Sequence, residues 1–278
     1  MSTIFGLGVP ADTDLDPVAE ARRAEDLGFD FVSCADHPCG TSPTHEVWTM
    51  LTWIAASTSK IKVMPKVLGI PYRPPAMVAK MAATLDRLSN GRLILGLGGG
   101  YSDEEFRAFG LPVPSARDKV DGMAEAIQII RGLWTEPEFT FTGRIFHTDR
   151  ADLEPKPERH IPIWLGTYGP RALTATGRLA DGWIPSDGFA PPDQIPAMRQ
   201  RILDAADHPI DCVYNLNVRV DDGLADRLRS YLDLGFTGFN FQFPGPDRAE
   251  QIELLAPILA TIKEERADEH RSHRRVLP

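Results

Sequence analysis

The 278-residue chain is acidic, with a formal net charge of −9, and 42% of its residues are hydrophobic. The negative charge disfavours binding to nucleic acid or to an anionic membrane surface, although backbone amides can still bind a small anionic ligand locally. The three cysteines have neither disulfide-framework nor metal-ligand spacing, and the N-terminal residues lack the features of a signal peptide. We therefore expect a cytoplasmic protein without a metal site.

Short apolar segments and amphipathic helical segments alternate along the chain. The first strand is predicted at 4–9, before Pro10, and the first helix begins at Asp16-Pro17 and ends at Gly28. Further strands are predicted at 29–35, 61–68, 92–98, 161–166, 182–185, 210–220 and 236–243. Further helices are predicted at 46–57, 76–88, 117–134, 170–179, 193–206, 224–234 and 248–266.

Eight strand–helix units in sequence predict a parallel sheet closed into a (β/α)8 TIM barrel, a fold of the α/β class. An open, doubly wound sheet is the alternative. We expect one barrel domain over residues 1–268, with a small hairpin excursion near 139–147, where phenylalanine and threonine alternate around Gly143. Residues 269–278 are expected to form a basic C-terminal tail.

The apolar strand at 92–98 runs directly into the turn Gly98-Gly99-Gly100-Tyr101. Glycine tolerates positive φ and lets a ligand approach the backbone closely. Ser102 or Asp103 can cap the helix that follows. An ordinary strand-to-helix turn explains the same glycines, but in a TIM barrel such turns carry the ligand site.

Asp36-His37 directly follows the second strand. Histidine is the usual general acid or base near neutral pH, and a neighbouring carboxylate can orient a partner or a ligand. The competing interpretation is a helix-capping aspartate beside a surface histidine.

Three further features fall at predicted strand ends. Gly166-Thr167-Tyr168-Gly169 precedes a helix and offers amides and a hydroxyl for a phosphate, although an ordinary turn is the alternative. At the third strand, Lys66 and Val67 occupy a predicted bulge, where Lys66 is either a site cation or a lysine that snorkels between layers. Aromatic side chains can line a pocket, with Trp183 fitting the core equally well; the candidates are Trp48, Tyr101, Tyr168 and Trp183.

The order of motifs from about residue 29 to 185 resembles the luciferase-like monooxygenase superfamily. Asp36-His37 is similar to the acidic residue and histidine of its signature. The other matching segments are Arg73-Pro74-Pro75, Ala79 to Arg92, Leu95 to Tyr101, Glu105-Phe106, Gly110, Arg117, Leu153 to Pro157, Pro162 to Gly166 and Asp181 to Pro185.

The resemblance implies a barrel that binds coenzyme F420, a deazaflavin, or alternatively reduced flavin mononucleotide (FMN). His37 would be the acid or base beside the reactive ring carbon, and Asp36 would lie near the pyrimidine edge. A non-prolyl cis peptide behind the ring would fall at Pro65-Lys66 or Lys66-Val67. The phosphate would lie near the glycine turns, formed by Gly98, Gly99, Gly100, Gly166, Thr167, Tyr168 and Gly169.

The resemblance also implies a homodimer acting on a small organic substrate. Relatives that oxidise glucose 6-phosphate carry glutamate where this chain has Tyr101 and asparagine where it has Glu104. This difference argues against sugar phosphates and leaves Trp48 and Tyr101 as candidate substrate-pocket residues.

Three functions follow as hypotheses. The first is an oxidoreductase that moves a hydride between F420 and an organic substrate. The second is a monooxygenase that uses reduced FMN and oxygen. The third is a cofactor-binding barrel without turnover, which His37 argues against because a carrier needs no acid or base at the ring.

Overall fold

A computed structural model of the chain describes residues 3–276, with side chains described as far as Asp268. The strands are β1 (Ile4–Gly8), β2 (Phe31–Cys34), β3 (Lys62–Pro65), β4 (Leu68–Gly69), β5 (Leu95–Gly98), β6 (Phe139–Thr142), β7 (His147–Ala151), β8 (Ile163–Leu165), β9 (Gly182–Trp183), β10 (Asp211–Asn217) and β11 (Gly238–Gln242). The helices are α1 (Pro17–Asp26), α2 (Val47–Ser57), α3 (Pro75–Leu88), α4 (Asp103–Ala108), α5 (Ala116–Thr135), α6 (Pro170–Leu179), α7 (Ile195–Leu203), α8 (Leu224–Asp233) and α9 (Arg248–Val276), with a short 3-10 helix at Ile70–Tyr72.

All strands except β6 and β7 form one parallel sheet in the order β3-β2-β1-β11-β10-β9-β8-β5-β4. The two edges belong to the third predicted strand, which is interrupted: β3 pairs with β2, and β4 pairs with β5. A bridge between Val63 and Leu93 joins the edges. The result is a nearly closed barrel, so the TIM-barrel prediction is confirmed and the open-sheet alternative is wrong.

The helix signals in the sequence act as predicted at α1. The Asp16 side chain accepts hydrogen bonds from the amides of Val18 and Ala19, Pro17 is the first helical residue, and Gly28 follows the helix with φ of 81°. The Asp16 carboxylate satisfies amides that the first turn cannot pair internally. The helix is thereby fixed at the point where its apolar stripe meets the barrel.

The barrel interior changes from apolar to polar toward the carboxyl ends of the strands. Ser33 lies two residues beyond Phe31 in β2, and Asn215 lies two residues beyond Val213 in β10, so each pair points to the same face in successive layers. The apolar layer is a buried cluster of Phe31, Met64, Ile94, Trp164, Ile184 and Val213. The polar layer, with Ser33, Asn215 and Asn240 buried, therefore lies nearer the mouth.

Two predicted segments extend further in the structure than expected. The hairpin excursion is longer than expected, because β7 begins at His147 and continues to Ala151. Helix α9 continues past the predicted end at 266 as far as Val276, into the predicted basic tail. The remaining tail residues, 277–278, lie outside the described residues. None of the described helices is long and apolar enough to span a membrane.

Candidate functional site

A cavity of about 490 Å³ opens at the carboxyl ends of the barrel strands. Most predicted site residues line it, namely Asp36, His37, Lys66, Val67, Gly98, Gly99, Gly100, Tyr101, Gly166 and Tyr168. The other lining residues were not among the predicted site residues; they are Gly69, Tyr72, Ser102, Ile184, Ser186, Phe189 and Asn215. This is the end of the barrel where ligands bind in proteins of this fold.

His37 lies at the cavity mouth, and its ring is held by a carboxylate. The Nδ1 atom is 2.9 Å from Oε1 of Glu105, and the Tyr72 hydroxyl donates to Oε2 of Glu105 at 2.7 Å. Burial and this bond to Glu105 raise the pKa of Tyr72, so its hydroxyl stays a donor. An Nδ1–H donated to Glu105 leaves Nε2 of His37 as the nitrogen that can exchange a proton with a ligand.

Glu105 reaches His37 because of the helix that follows the glycine turn. Ser102 caps α4 by accepting from the Glu105 amide at 3.3 Å, which places Glu105 in the first helical turn. An acidic side chain is stable there because the amides of the first turn carry partial positive charge. The sequence contained this capping signal, but no spacing rule connects Glu105 with His37.

Asp36 has a different environment from the one expected. Its two carboxylate oxygens accept both terminal nitrogens of Arg73, at 2.8 and 3.1 Å, and one of them also accepts the Gly69 amide at 2.9 Å. Burial opposes the charge on Arg73, but the hydrogen bonds and negative charges of Asp36 and Glu46 outweigh it and raise the pKa of the guanidinium. Asp36 is thus an anchor for the Gly69–Arg73 segment, and its oxygens are already bonded to protein.

The interruption of the third strand forms one wall of the cavity. The peptide bond between Lys66 and Val67 is cis, at one of the two positions that the resemblance implied. A Cβ atom on Gly98 would lie 2.7 Å from Cγ2 of Val67, and one on Gly166 would lie 3.3 Å from the same atom. Glycine is needed at 98 to accommodate Val67. Because glycine has no side chain, bare backbone faces the ligand space at this position.

The predicted phosphate loop differs from expectation at two of its groups. The Thr167 hydroxyl bonds to the Thr176 hydroxyl at 2.7 Å and is buried, and the Gly166 amide donates to the carbonyl oxygen of Leu97 at 3.3 Å. Neither Thr167 nor Gly169 lines the cavity. Gly169 is the N-cap of α6, and its helix has no side-chain cap, so the helix end keeps its capacity to bind an anion.

Aromatic side chains form the rim of the cavity. The Tyr101 ring centroid lies 5.7 Å from that of Phe189, which in turn lies 5.2 Å from that of Tyr168. Tyr101 is 74% exposed and Phe189 54% exposed, so the rim presents apolar surface to solvent. Trp48, a predicted pocket residue, packs in the hydrophobic core and is not among the residues that line this cavity.

A hydrogen-bonded row of polar side chains reaches the cavity wall at Ser186 and Asn215. Asn215 donates to Ser186 at 2.5 Å, Asn240 donates to Asn215 at 2.7 Å, and Ser33 donates to Asn240 at 2.9 Å. A polar network whose members satisfy one another is rigid as well as polar. This wall can therefore orient a ligand without moving.

Curated relatives carry names of one coenzyme class. An F420-dependent glucose-6-phosphate dehydrogenase of Nakamurella multipartita is 32% identical over 229 residues, which are 78% of this chain and 66% of the relative. An F420-dependent hydroxymycolic acid dehydrogenase of Mycobacterium tuberculosis is 38% identical over 175 residues, which are 60% of this chain and 48% of the relative. The chain spans about half to two thirds of the length of these relatives.

Solved structures share the fold at low identity. An F420-dependent secondary alcohol dehydrogenase aligns with a TM-score of 0.82 and 20% identity, over 93% of this chain and 98% of that chain. An EDTA monooxygenase from Chelativorans sp. BNC1 aligns with a TM-score of 0.79 and 12% identity, over 96% and 94%. A sequence profile of one family also matches residues 11–275, nearly the whole barrel described above. The chain belongs to the luciferase-like monooxygenase family.

Proposed function

We propose that this protein is an F420-dependent oxidoreductase that moves a hydride between the deazaflavin and a small organic substrate. The observation that carries the proposal is His37, held by Glu105 at the mouth of a cavity whose wall is bare glycine backbone. The names of the curated relatives, F420-dependent dehydrogenases, support the choice of coenzyme.

The cavity suits a flat heteroaromatic ring on three counts. The backbone at Gly98 and Gly166 gives a flat wall, Val67 gives an apolar backing, and Tyr101 with Phe189 gives aromatic surface at the rim. A deazaflavin bound there would accept or donate a hydride at its ring carbon. The protein supplies orientation, exclusion of water and proton transfer.

Proton transfer is the role we propose for His37. Hydride transfer to or from a substrate carbon leaves a proton to be moved on the neighbouring atom, and imidazole has the appropriate pKa near neutrality. Glu105 fixes the ring through Nδ1, and Nε2 takes or gives the proton. Tyr72 holds Glu105 in turn, so the ring orientation is set by a chain of two hydrogen bonds.

The coenzyme phosphate is proposed to bind at the amino end of α6. The glycine turn lies beside this end, and no side chain caps the helix. Tyr168, which lines the cavity next to it, has its hydroxyl fixed by the Ser186 amide at 3.2 Å. Aligned amides with no cap form a binding site for an anion in many proteins.

Gly166→Val should weaken coenzyme binding by at least about 10-fold without unfolding the protein. A Cβ at this position would already lie 3.3 Å from Val67, so the added methyl groups should crowd Val67 and the ligand space that both residues line. The measurement is equilibrium binding, with circular dichroism to verify folding. Gly40→Val is the matched control, because a Cβ on Gly40 meets no atom within 4 Å. Unchanged affinity in folded Gly166→Val would remove this loop from the coenzyme site.

The choice of coenzyme is tested directly by quenching of coenzyme fluorescence. We expect F420 to bind and to be reduced or oxidised in the presence of a substrate, and FMN to bind more weakly. Binding of FMN alone, with F420 ignored at high concentration, would replace the proposal with an FMN-dependent monooxygenase. Binding of F420 with no turnover by any substrate class would favour a carrier.

We further propose a cytoplasmic homodimer built from a single barrel domain over residues 1–268. Cys34, Cys39 and Cys212 are all free thiols, which fits a reducing compartment. Exposed apolar side chains on α2 and α3, Trp53, Met77 and Leu88, offer a surface for a second copy. Sedimentation velocity on the purified protein tests the dimer.

A further inference from the structure

The amine of Lys66 is a cation in the cavity without a protein partner. Lys66 lines the cavity, and none of the other described residues forms a hydrogen bond or ion pair with its ammonium. Its charge interacts with that of Asp187, which follows β9 on the far side of the barrel from β3. The Lys66 side chain therefore borders the ligand space.

The surrounding ionisable groups do not neutralise this amine. Burial raises the pKa of the Cys34 thiol to about 12, so the sulfur next to Lys66 is uncharged near neutrality. The Asp187 carboxylate is 2.9 Å from the Asn217 amide nitrogen and 3.0 Å from its side-chain nitrogen, and it stays beyond ion-pair distance of Lys66. The other ionisable groups around the cavity are paired with one another or are phenols, namely Asp36 with Arg73, His37 with Glu105, Tyr72, Tyr101 and Tyr168.

A half-buried amine with no partner among the described residues responds to the charge of whatever binds beside it. Burial lowers the pKa of Lys66, because the charged form loses hydration that no protein group replaces. An anionic ligand within hydrogen-bond distance would restore that stabilisation and raise the pKa again. The amine would then take a proton from solvent as the anion binds.

We propose that Lys66 is a binding site for an anionic oxygen of the ligand, and that its amine is more fully protonated in the complex than in the free protein. The inference depends on the proposed function in one respect: it assumes that coenzyme and substrate bind in this cavity. Two sources have the required chemistry: oxygens of a deazaflavin ring that carries delocalised negative charge, and a carboxylate or phosphate on the substrate. Asn215 and Ser186, which line the same cavity, add neutral hydrogen-bonding groups for the ligand.

The test is calorimetric titration of F420 into the protein in two buffers of different ionisation enthalpy. The difference in heat between the buffers counts the protons taken up on binding. Titrations run at pH values from neutrality up to the ordinary lysine pKa of about 10.4. Because the protonated amine binds the anion, affinity should fall as pH rises through the lowered pKa of the free protein.

Two substitutions separate charge from proton uptake. Lys66→Met should weaken binding by about 10- to 100-fold near neutrality and abolish the lysine-dependent proton uptake. Lys66→Arg keeps a permanent charge, so it should retain affinity but show no uptake. Ionisation of the coenzyme itself is common to all variants and cancels in the comparison. Lys62→Met, an exposed lysine at the other end of β3, is the matched control.

A second arm distinguishes the two sources of the anion. Acetate and inorganic phosphate are titrated into coenzyme-saturated native and Lys66→Met protein, and coenzyme fluorescence reports binding. Proton uptake on binding of F420 alone assigns Lys66 to the coenzyme ring. Proton uptake on binding of the added anion assigns Lys66 to the substrate. Equal affinity and equal proton uptake in native and Lys66→Met protein for all three probes would overturn the inference.

Failure of the proposed function gives a different pattern. If F420 does not bind the native protein, the coenzyme assignment fails, while acetate and phosphate titrations of the coenzyme-free protein still test Lys66. Thermal unfolding verifies that Lys66→Met is folded, and we expect it to be at least as stable as the native protein because a half-buried amine is removed. If Lys66→Met is not folded, Lys66→Gln is used in its place.

Discussion

Replacement of His37 by alanine should lower the rate of hydride transfer by about 10² to 10⁴ while coenzyme affinity stays close to native. The imidazole is the group at the cavity mouth that can exchange a proton near neutrality, and its Nδ1 is already engaged by Glu105. Its side chain is 54% exposed, so removing it leaves no cavity in the core. The measurement is single-turnover oxidation of bound reduced coenzyme by a cognate substrate.

His147→Ala is the matched control for this experiment, because His147 lies on the hairpin strand β7 and outside the cavity. Glu105→Leu gives a further test, since it removes the group that fixes the ring but leaves the imidazole in place. We expect a smaller loss for Glu105→Leu than for His37→Ala. A His37→Ala protein that turns over at the native rate would exclude His37 from proton transfer and make Tyr101 the next candidate.

The fold could be predicted because its signals are local and repeated. Each strand is a short apolar run, and each helix has a cap or a stripe that shows in a few neighbouring residues, as with Asp16-Pro17 before α1. The sequence signals for where a helix or strand ends are weaker. Helix α9 extends past the predicted boundary to Val276, and β7 extends to Ala151, because weak end signals permit either length.

Site residues could be predicted only where a reactive or charged side chain lies at or directly after the end of a predicted strand. His37 and Lys66 were predicted in that way, since each follows or ends an apolar run, and both line the cavity. Glu105 and Asn215 were missed because their roles depend on contacts between segments far apart in the chain. The Thr167 hydroxyl was misplaced because a βα turn in the sequence does not reveal which way a side chain points, and here it points toward Thr176.

Asp36 shows how one residue can satisfy two interpretations of a motif. Its position beside His37 suggested contact with the coenzyme, whereas the structure joins it to Arg73 and to the Gly69 amide. The side chain is 1% exposed and that of Arg73 is 14% exposed. Both charges are thus largely removed from water and depend on each other, with Glu46 as a second partner of Arg73.

Asp36→Ala should therefore lower the free energy of unfolding of the coenzyme-free protein by about 3 to 5 kcal/mol. The substitution leaves the largely buried Arg73 guanidinium with Glu46 alone and removes the acceptor of the buried Gly69 amide. Urea denaturation measured without coenzyme isolates this effect from ligand binding. Asp36→Asn should cost less, because the amide oxygen can still accept from Gly69.

A surface carboxylate provides the comparison for that loss. Glu253 pairs with Arg23 at 2.7 Å, but the Glu253 side chain is 51% exposed and that of Arg23 is 33% exposed, so Glu253→Ala should change stability by no more than about 1 kcal/mol. If Asp36→Ala unfolds at the same urea concentration as Glu253→Ala, the buried pair contributes nothing to the fold. The expectation that Asp36 contacts the coenzyme would then be favoured again. A loss of F420 affinity in the folded Asp36→Ala variant would establish that contact.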